Sequence, residues 1–447
     1  MPFYFLIEFL FKEVSMYNLF KLSNGLRIVL EEIDYVNSVS VGLWVENGSR
    51  NEILENNGIS HFIEHMLFKG TKNRSALELV ECIEDVGGQI NAFTGKEATC
   101  FYVKLLNTHL ELGIDVIADM LFNSNFLPED VEKEKGVVIE EINMNEDSPE
   151  DVLSDLHSKA IWGEDSLSLP ILGSIESVKR FTQEELLNFI GDHYTPENSV
   201  ISIAGKFDSK HLEKLLEKYF GGWKNKNNIK NKYTSPTLLH GNVFRKKNIE
   251  QLHINLGLKG LQTGDEDIYA LLLLNNIFGG GASSILFQRI REEKGACYSI
   301  YSYISAFNST GIMTIYTGLN PSYAVEVVSL IKDEVSNFVK NNIQPEKLFK
   351  AKEQLKGNYI LGLESTSSRM FNNGKSALFL NRINIPSDII KKVDIIDAQK
   401  INEVLERTFA LGIQNSAYVG DNIDLDLIAK VLDPEEVAFK NNKSNLI

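Results

Sequence analysis

The chain has 447 residues, of which 43% are hydrophobic and 24% charged, a composition typical of a folded protein with a sizeable core. At this length we expect two large domains or more. The formal net charge is −16, so a nucleic-acid-binding protein, which needs a basic surface, is a poor interpretation. Cys82, Cys100 and Cys297 are too few and too widely spread for a disulfide framework or a thiolate zinc cluster, and we expect them to be reduced and buried.

The first 15 residues, MPFYFLIEFLFKEVS, are apolar but lack the basic start and the small-residue cleavage site of a signal peptide. They are also too few to span a bilayer. Because Met16 begins a predicted strand, we interpret residues 1–15 as an extension and expect translation to start at Met16. No other segment has the pattern of a membrane span. We therefore expect a soluble, cytoplasmic protein without membrane or nucleic-acid partners.

The first half of the chain predicts a mixture of strands and helices. Residues 18–47 alternate apolar and polar side chains around Asn24 and Gly25, which predicts a hairpin followed by a third strand. Two further strands are predicted in 87–106, on either side of a turn at Thr94–Lys96. Helical periodicity predicts helices at about 58–69, 75–86, 108–122, 128–146, 150–162, 182–193 and 208–220, and a strand is predicted at 198–205.

Residues 223–247 lie in a stretch rich in lysine, asparagine and glycine without periodicity, and we interpret them as a linker. Beyond it the order of elements recurs. Strands are predicted at 251–260, 297–306, 311–319 and 415–421, and helices at about 266–278, 284–293, 321–340, 344–361 and 366–381, with one more at the end. The recurrence predicts two related α+β domains, at residues 16–222 and 248–447.

The segment NNGISHFIEHMLFKGT, residues 56–71, places two histidines four residues apart in an apolar helix. His61 and His65 would lie on one helix face about a turn apart, where both imidazoles can point at one metal ion. Glu64 would lie near that face, close enough to take a proton from a metal-bound water. Spacing alone leaves a second interpretation open, because histidines in an apolar helix are often hydrogen-bonded core residues.

A catalytic zinc site needs a third protein ligand and one open position. In the charged helix after residue 128, one stripe at helical spacing carries Val131, Glu134, Val138, Glu141 and Asn145. The valines predict that this stripe faces the interior, where a carboxylate is costly unless a cation or a metal pairs with it. We therefore choose Glu141 as the third ligand and expect Glu134 to orient a ligand histidine or the water. The alternative is an ordinary solvated helix face.

Together, HFIEHMLFKGT, GGQINAFTGKEATCFY and VVIEEINMNEDSPED resemble the pitrilysin and insulin-degrading peptidase superfamily, whose signature is the inverted zincin motif H-x-x-E-H. The resemblance extends over nearly the whole chain. Within the superfamily, the sequence most resembles two-domain bacterial members that are similar to the mitochondrial processing peptidase β subunit. It implies two homologous α+β domains, each a mainly antiparallel sheet packed with helices, which form a clamshell chamber.

The resemblance implies a zinc metalloendopeptidase with one zinc ion per chain. His61, His65 and Glu141 would be the zinc ligands, Glu64 the general base and Glu134 a supporting carboxylate. These roles agree with the assignments made from spacing.

Substrate contacts are also implied by the resemblance. Asn91, Ala92 and Phe93 would belong to an edge strand that binds an extended peptide as an additional strand. In the second half, Arg291 and Tyr298 would stabilise the oxyanion. Without the resemblance, we would expect Arg291 to pair with an acid in its own helix and Tyr298 to be an ordinary strand residue.

The second half lacks a histidine pair in the corresponding segment, LLLLNNIFGG at 271–280, so one active and one inactive half are expected. The resemblance further implies peptides or unfolded segments as substrates, and a homodimer or a pair with a homologous subunit. The negative net charge favours basic peptides. A rival interpretation is a catalytically silent scaffold or partner subunit. Silent relatives typically lose ligands or the base, whereas here all of these residues are present.

Overall fold

The structure is a computed structural model that describes residues 16–224 and 231–432, and the expected extension at 1–15 lies outside the described residues. The chain forms two compact units, each with one β-sheet and several helices. The α+β class predicted from the sequence is confirmed. Within the described ranges, no helix is both long enough and apolar enough to cross a membrane.

The strands in chain order are β1 Met16–Lys21, β2 Arg27–Glu32, β3 Ser38–Val45, β4 Gln89–Thr94, β5 Thr99–Leu106, β6 Ser199–Gly205, β7 Gly241–Lys246, β8 Leu252–Lys259, β9 Ser299–Phe307, β10 Thr310–Leu319 and β11 Asn415–Gly420.

The α-helices are α1 Ile59–Leu67, α2 Ala76–Glu84, α3 Leu110–Asn123, α4 Pro128–Asp147, α5 Pro149–Trp162, α6 Ile175–Arg180, α7 Gln183–His193, α8 Ser209–Phe220, α9 Ile268–Gly279, α10 Ala324–Lys340, α11 Pro345–Gly362, α12 Thr366–Leu380, α13 Pro386–Asp394, α14 Ala398–Arg407 and α15 Leu425–Leu432.

The first unit contains a six-stranded sheet in the order β1-β2-β6-β3-β5-β4. Its strands pair antiparallel except for β2 and β6, which are parallel. Along β3, Val41 and Leu43 pack into the main core of the unit, whereas Trp44 packs into a second cluster with Ala377 and Leu378 of α12. Side chains alternate between the two faces of a strand, so both faces of this sheet are buried.

The second unit contains a five-stranded sheet in the order β7-β11-β8-β10-β9, in which β7 and β11 are parallel and the other pairs antiparallel. Strand β7 lies in the segment predicted to be a linker, 223–247. That prediction needs a correction at its end, because 241–246 pair with β11 and belong to the sheet. The pairing partner lies far along the chain, so the local composition gave no sign of it.

Two segments are exchanged between the halves of the chain. Among the described residues, the first unit comprises 16–142, 170–224, 231–232 and Tyr359–Ile389, and the second comprises Asn143–Leu169, Tyr233–Asn358 and 390–432. The units thus differ from the contiguous ranges 16–222 and 248–447: α12 packs in the first unit and α5 in the second. Periodicity predicts each helix but not the sheet that its apolar side covers.

Local caps explain where α4 ends and α5 begins. Ser148 accepts a hydrogen bond from the backbone N–H of Asp151, and Pro149 occupies the first turn of α5, where its missing N–H costs nothing. Because α5 begins at Pro149, α4 ends at Asp147; α4 is the helix that carries Glu134 and Glu141.

Candidate metal centre

Helix α1 holds both histidines in fixed positions. Phe62, Ile63 and Met66 are fully buried and anchor the helix in the core of the first unit. His61 is 7% exposed, and the ring centroids of His61 and His65 are 4.6 Å apart. Packing of the helix therefore brings the two imidazoles together, as the spacing predicts.

A buried carboxylate outside the motif fixes the start of α1. Glu52 accepts hydrogen bonds from the backbone N–H groups of Gly58 (2.7 Å) and Ser60 (2.9 Å) and from Asn57 Nδ2 (2.8 Å). Burial raises the pKa of Glu52, and these hydrogen bonds oppose the rise. An acid at a helix N-terminus also complements the helix dipole. Glu52 could not be predicted from the sequence, because it does not stand at a capping position next to the helix.

Helix α4 brings the predicted third ligand to the histidines. Val131, Glu134 and Val138 are buried, as the stripe predicted, and Glu141 is partly exposed. Oε2 of Glu141 lies 3.5 Å from Nε2 of His61 and 3.4 Å from Nε2 of His65.

One ligand atom from each of His61, His65 and Glu141 lies within 4.8 Å of the other two. Two imidazole nitrogens and one carboxylate oxygen form the donor set of a catalytic zinc site, in which the fourth position is kept for water or substrate. The residues therefore fit a zinc ion.

Glu134 contacts the ring nitrogen of His65 that faces away from Glu141. Its Oε1 lies 2.7 Å from Nδ1 of His65, and its Oε2 lies 2.6 Å from Nζ of Lys69. Burial alone would raise the pKa of Glu134, but the hydrogen bonds from His65 and Lys69 hold it below its usual value. Glu134 thus stays a carboxylate that accepts hydrogen bonds.

The pKa values of the two histidines are shifted in opposite directions. Burial and the neighbouring His65 lower the pKa of His61 to about 4. Burial alone would also lower the pKa of His65, but its hydrogen bonds with Glu134 and Glu141 outweigh burial and raise the pKa to about 9. A metal ion would compete with this one proton, since ligand imidazoles must be neutral.

Glu64 lies beside the ligand cluster and is held by the sheet. Thr94 Oγ1 donates a hydrogen bond of 2.5 Å to Oε2 of Glu64. Burial raises the pKa of Glu64, and the bond from Thr94 opposes the rise. Thr94 could be predicted from the sequence only as a turn residue, whereas in the structure it is the last residue of β4.

Strand β4 is at one edge of its sheet, as the resemblance implied. Its side chains alternate, with Asn91 and Phe93 exposed and Ala92 and Thr94 partly buried. The backbone N–H of Ala92 donates to Oδ1 of Asn91 (2.8 Å). An edge strand with an N–H satisfied only by its own neighbour can accept an additional strand.

Arg291 and Tyr298 belong to the second unit. The guanidinium carbon of Arg291 is 4.6 Å from the ring centroid of Phe287 and 5.8 Å from that of Tyr298, which is 73% exposed. The regular helix predicted at 284–293 needs a correction, because Phe287–Glu292 form a π-helical turn. The partner of Glu293 in this segment is Arg289, at 2.9 Å.

Helix α9 is the counterpart of α1 in the second half. Leu271 and Leu274 are fully buried, and Asn275 accepts a hydrogen bond from Ser302 Oγ (2.8 Å). These side chains serve packing, so this helix offers no histidine pair for a metal ion.

A helix with the H-x-x-E-H order, joined by a distant glutamate on a second helix, is typical of inverted zincins. Residues 27–175 match the family model described as Insulinase (Peptidase family M16), and residues 180–355 match the model Peptidase M16 inactive domain. The chain belongs to peptidase family M16. The superfamily expected from the sequence is confirmed, and the particular similarity to the mitochondrial processing peptidase β subunit stays a prediction.

Curated relatives cover most of the chain. A Bacillus subtilis protein named an uncharacterized zinc protease is 43% identical over 86% of this chain and 94% of its own length. A protein of the same description from Streptomyces coelicolor is 36% identical over 86% of this chain and 85% of its own length.

Solved structures share the fold. A protease from Helicobacter pylori has a TM-score of 0.83 at 22% identity and covers 91% of this chain and all of its own. A peptidase M16 inactive domain from Pseudomonas fluorescens has a TM-score of 0.84 at 17% identity and covers 91% of this chain and 98% of its own. At these identities the likeness concerns the fold alone.

Proposed function

We propose that the chain is a zinc metalloendopeptidase that hydrolyses peptides or unfolded segments bound in extended form. The observation that carries the proposal is the cluster of His61, His65 and Glu141, whose ligand atoms lie within 4.8 Å of one another, with Glu64 beside it. Family membership and relatives named as zinc proteases support the peptidase class.

His61, His65 and Glu141 would hold one zinc ion per chain. When bound, zinc supplies a water of lowered pKa and polarises the carbonyl of the substrate. Cobalt and manganese are alternative metals for the same donors.

Two neighbouring glutamates have separate roles, proton transfer for Glu64 and orientation of His65 for Glu134. Glu64 would take a proton from the attacking water at Oε1, while Thr94 holds Oε2. Glu64 would then give that proton to the amine nitrogen as the peptide C–N bond breaks. Glu134 accepts the N–H of Nδ1 on His65, which leaves Nε2 as the atom free to bind a metal.

Substrate would add to the open edge of β4, with Asn91, Ala92 and Phe93 beside it. Main-chain hydrogen bonds would then give affinity with little dependence on sequence. Arg291 and Tyr298 are proposed as oxyanion donors. The closed chamber and the preference for basic peptides stay predictions, the second resting on the net charge of −16.

The test is metal analysis together with hydrolysis of a quenched basic peptide by wild type and by Glu64→Gln. We expect about one zinc per chain in both proteins and hydrolysis only by wild type. A wild type that binds no zinc would sink the proposal. An acidic peptide of equal length tests the charge preference, which fails if both peptides are cut equally fast.

The rival proposal is a catalytically silent scaffold or partner subunit. It gains support if wild type binds zinc but cuts no peptide, alone or with a homologous subunit. Size-exclusion chromatography with light scattering tests the expected homodimer. The complete set of ligands and base favours the enzyme.

A further inference from the structure

Lys69 reaches the metal centre from just beyond the end of α1. It follows His65 by four residues, and its Nζ lies 2.6 Å from Oε2 of Glu134. The other oxygen of that carboxylate, Oε1, lies 2.7 Å from Nδ1 of His65. One carboxylate therefore joins the ammonium to the imidazole, with one oxygen for each.

The burial of Glu134 makes this contact more than a surface ion pair. Glu134 is 2% exposed and lies on the same buried stripe as Val131 and Val138. A buried carboxylate is strongly unfavourable without a counter-charge. When His65 binds a metal its imidazole must be neutral, so it then offers Glu134 a hydrogen bond but no charge. The side chain of Lys69 is 34% exposed, so its ammonium supplies the charge while it keeps part of its hydration.

We infer that Lys69 is a positioning residue of the metal centre. It holds the Glu134 carboxylate in the orientation that fixes the ring of His65, so that Nε2 faces His61 Nε2 and Glu141. The inference rests on the proposed function, because it gives this ring orientation its purpose. Lys69 acts through Glu134 and not through the substrate.

Another lysine provides a matched control. On α4, Lys135 pairs with Glu132 at 2.6 Å, the same length as the pair between Lys69 and Glu134. The Glu132 side chain is 71% exposed, however, and although that of Lys135 is 13% exposed, the Glu132 carboxylate stays hydrated when the lysine is removed. Lys135→Met therefore removes a lysine–glutamate pair near the site without disturbing a buried carboxylate.

The experiment measures zinc affinity by competition with a chelator for wild type, Lys69→Met, Lys69→Arg and Lys135→Met. We expect Lys69→Met to weaken zinc binding about 10- to 100-fold, as loss of support behind a ligand does. Lys69→Arg keeps the charge and should stay within about threefold of wild type. Lys135→Met should bind zinc like wild type.

A double variant tests whether Lys69 acts through Glu134. Glu134→Gln should weaken zinc binding, and adding Lys69→Met to it should cause no further loss, because the route to His65 is already cut. Thermal unfolding of the zinc-free proteins identifies any general loss of stability.

Three outcomes overturn the inference. In the first, Lys69→Met binds zinc as tightly as wild type, whether or not its unfolding temperature falls. In the second, the losses of the single variants add in full in the double variant. In the third, wild type itself binds no zinc, which overturns the proposed function as well and is thus distinguishable from the other two.

Discussion

Thr94, the last residue of edge strand β4, contacts Glu64, the proposed general base. Thr94→Val keeps the shape of the side chain but removes the donor to Oε2 of Glu64. We expect kcat to fall about tenfold, which corresponds to about 1.4 kcal/mol. The reason is that the Glu64 carboxylate loses the hydrogen bond that orients it toward the attacking water. Zinc affinity should not change, since Thr94 lies outside the ligand cluster.

Steady-state hydrolysis of a quenched peptide measures this effect. Thr94→Ser retains the hydroxyl and should keep most of the wild-type kcat. If Thr94→Val raised KM and left kcat intact, Thr94 would belong to substrate binding instead.

His157 makes the stability of the second unit depend on pH. It is buried on α5, its Nε2 donates to Oδ1 of Asn415 (2.9 Å), and burial lowers its pKa to about 4. An unfolded histidine has a pKa of about 6.5, so the unfolded chain binds this proton more readily. The stabilisation is therefore fully present above pH ~6.5 and is lost as the pH falls toward 4, by roughly 3 kcal/mol.

Urea unfolding between pH 7.5 and 4 checks this expectation for wild type and His157→Gln. The variant cannot take up the proton, so its free energy of unfolding should fall less steeply with decreasing pH. Equal slopes for the two proteins would contradict the assignment to His157.

At the scale of elements, helix α12 packs very closely on the first sheet. A Cβ atom at Gly374 would overlap the indole of Trp44 on β3. Alanine is the better helix former by about 1 kcal/mol, but overpacking of a core costs about 1–3 kcal/mol. We expect Gly374→Ala to destabilise the first unit in chemical denaturation.

The control for this prediction is Gly136→Ala on α4. Apart from its chain neighbours and the backbone of its own helix, a Cβ atom there would meet no atom within 4 Å, so only the helix propensity changes. We expect unchanged stability or a gain of up to about 1 kcal/mol. Equal stabilities of the two alanine variants would show that α12 can shift away from the sheet.

Features encoded within one element could be predicted from the sequence. The spacing of His61 and His65 and the stripe of Val131, Glu134 and Val138 depend only on the period of a helix, and the structure places them as predicted. The edge position of β4 came instead from the resemblance.

Features that depend on two distant elements could not be predicted in this way. Thr94 meets Glu64 across 30 positions, and Lys69 meets Glu134 from the turn that follows α1. Lys69 and Thr94 do not stand out in their own segments. Each gains its role from a partner that the fold brings close, Glu134 for Lys69 and Glu64 for Thr94. The π-helical turn at 287–292 has the apolar spacing of an ordinary helix and was predicted as one.

At the scale of the whole molecule, the first unit depends on a segment from late in the chain. Glu31 is buried on β2 and accepts a hydrogen bond from Asn373 Nδ2 (2.6 Å) and pairs with Arg369. Nη1 of Arg27 donates to the carbonyls of Ala377 and Leu378, both at 2.9 Å. A fragment of residues 16–224 would lack these partners and would leave one face of its sheet uncovered.

We therefore expect the fragment 16–224 to aggregate or remain unfolded when expressed alone, and to copurify with residues 225–447 when both are expressed together. Circular dichroism and limited proteolysis measure the outcome. A fragment that unfolds cooperatively and binds zinc by itself would contradict this expectation.

The late arrival of α12 has a consequence for protein synthesis. Val29, Trp44 and Val200 on the first sheet pack against α12, which ends at Leu380. At about 5–20 residues per second, the ribosome needs roughly 9 to 35 seconds to translate from the last strand of that sheet to the end of α12. During this interval the nascent chain presents an apolar surface that its own sequence has not yet covered. We expect this surface to recruit molecular chaperones, and the first unit to complete its folding only near the end of translation.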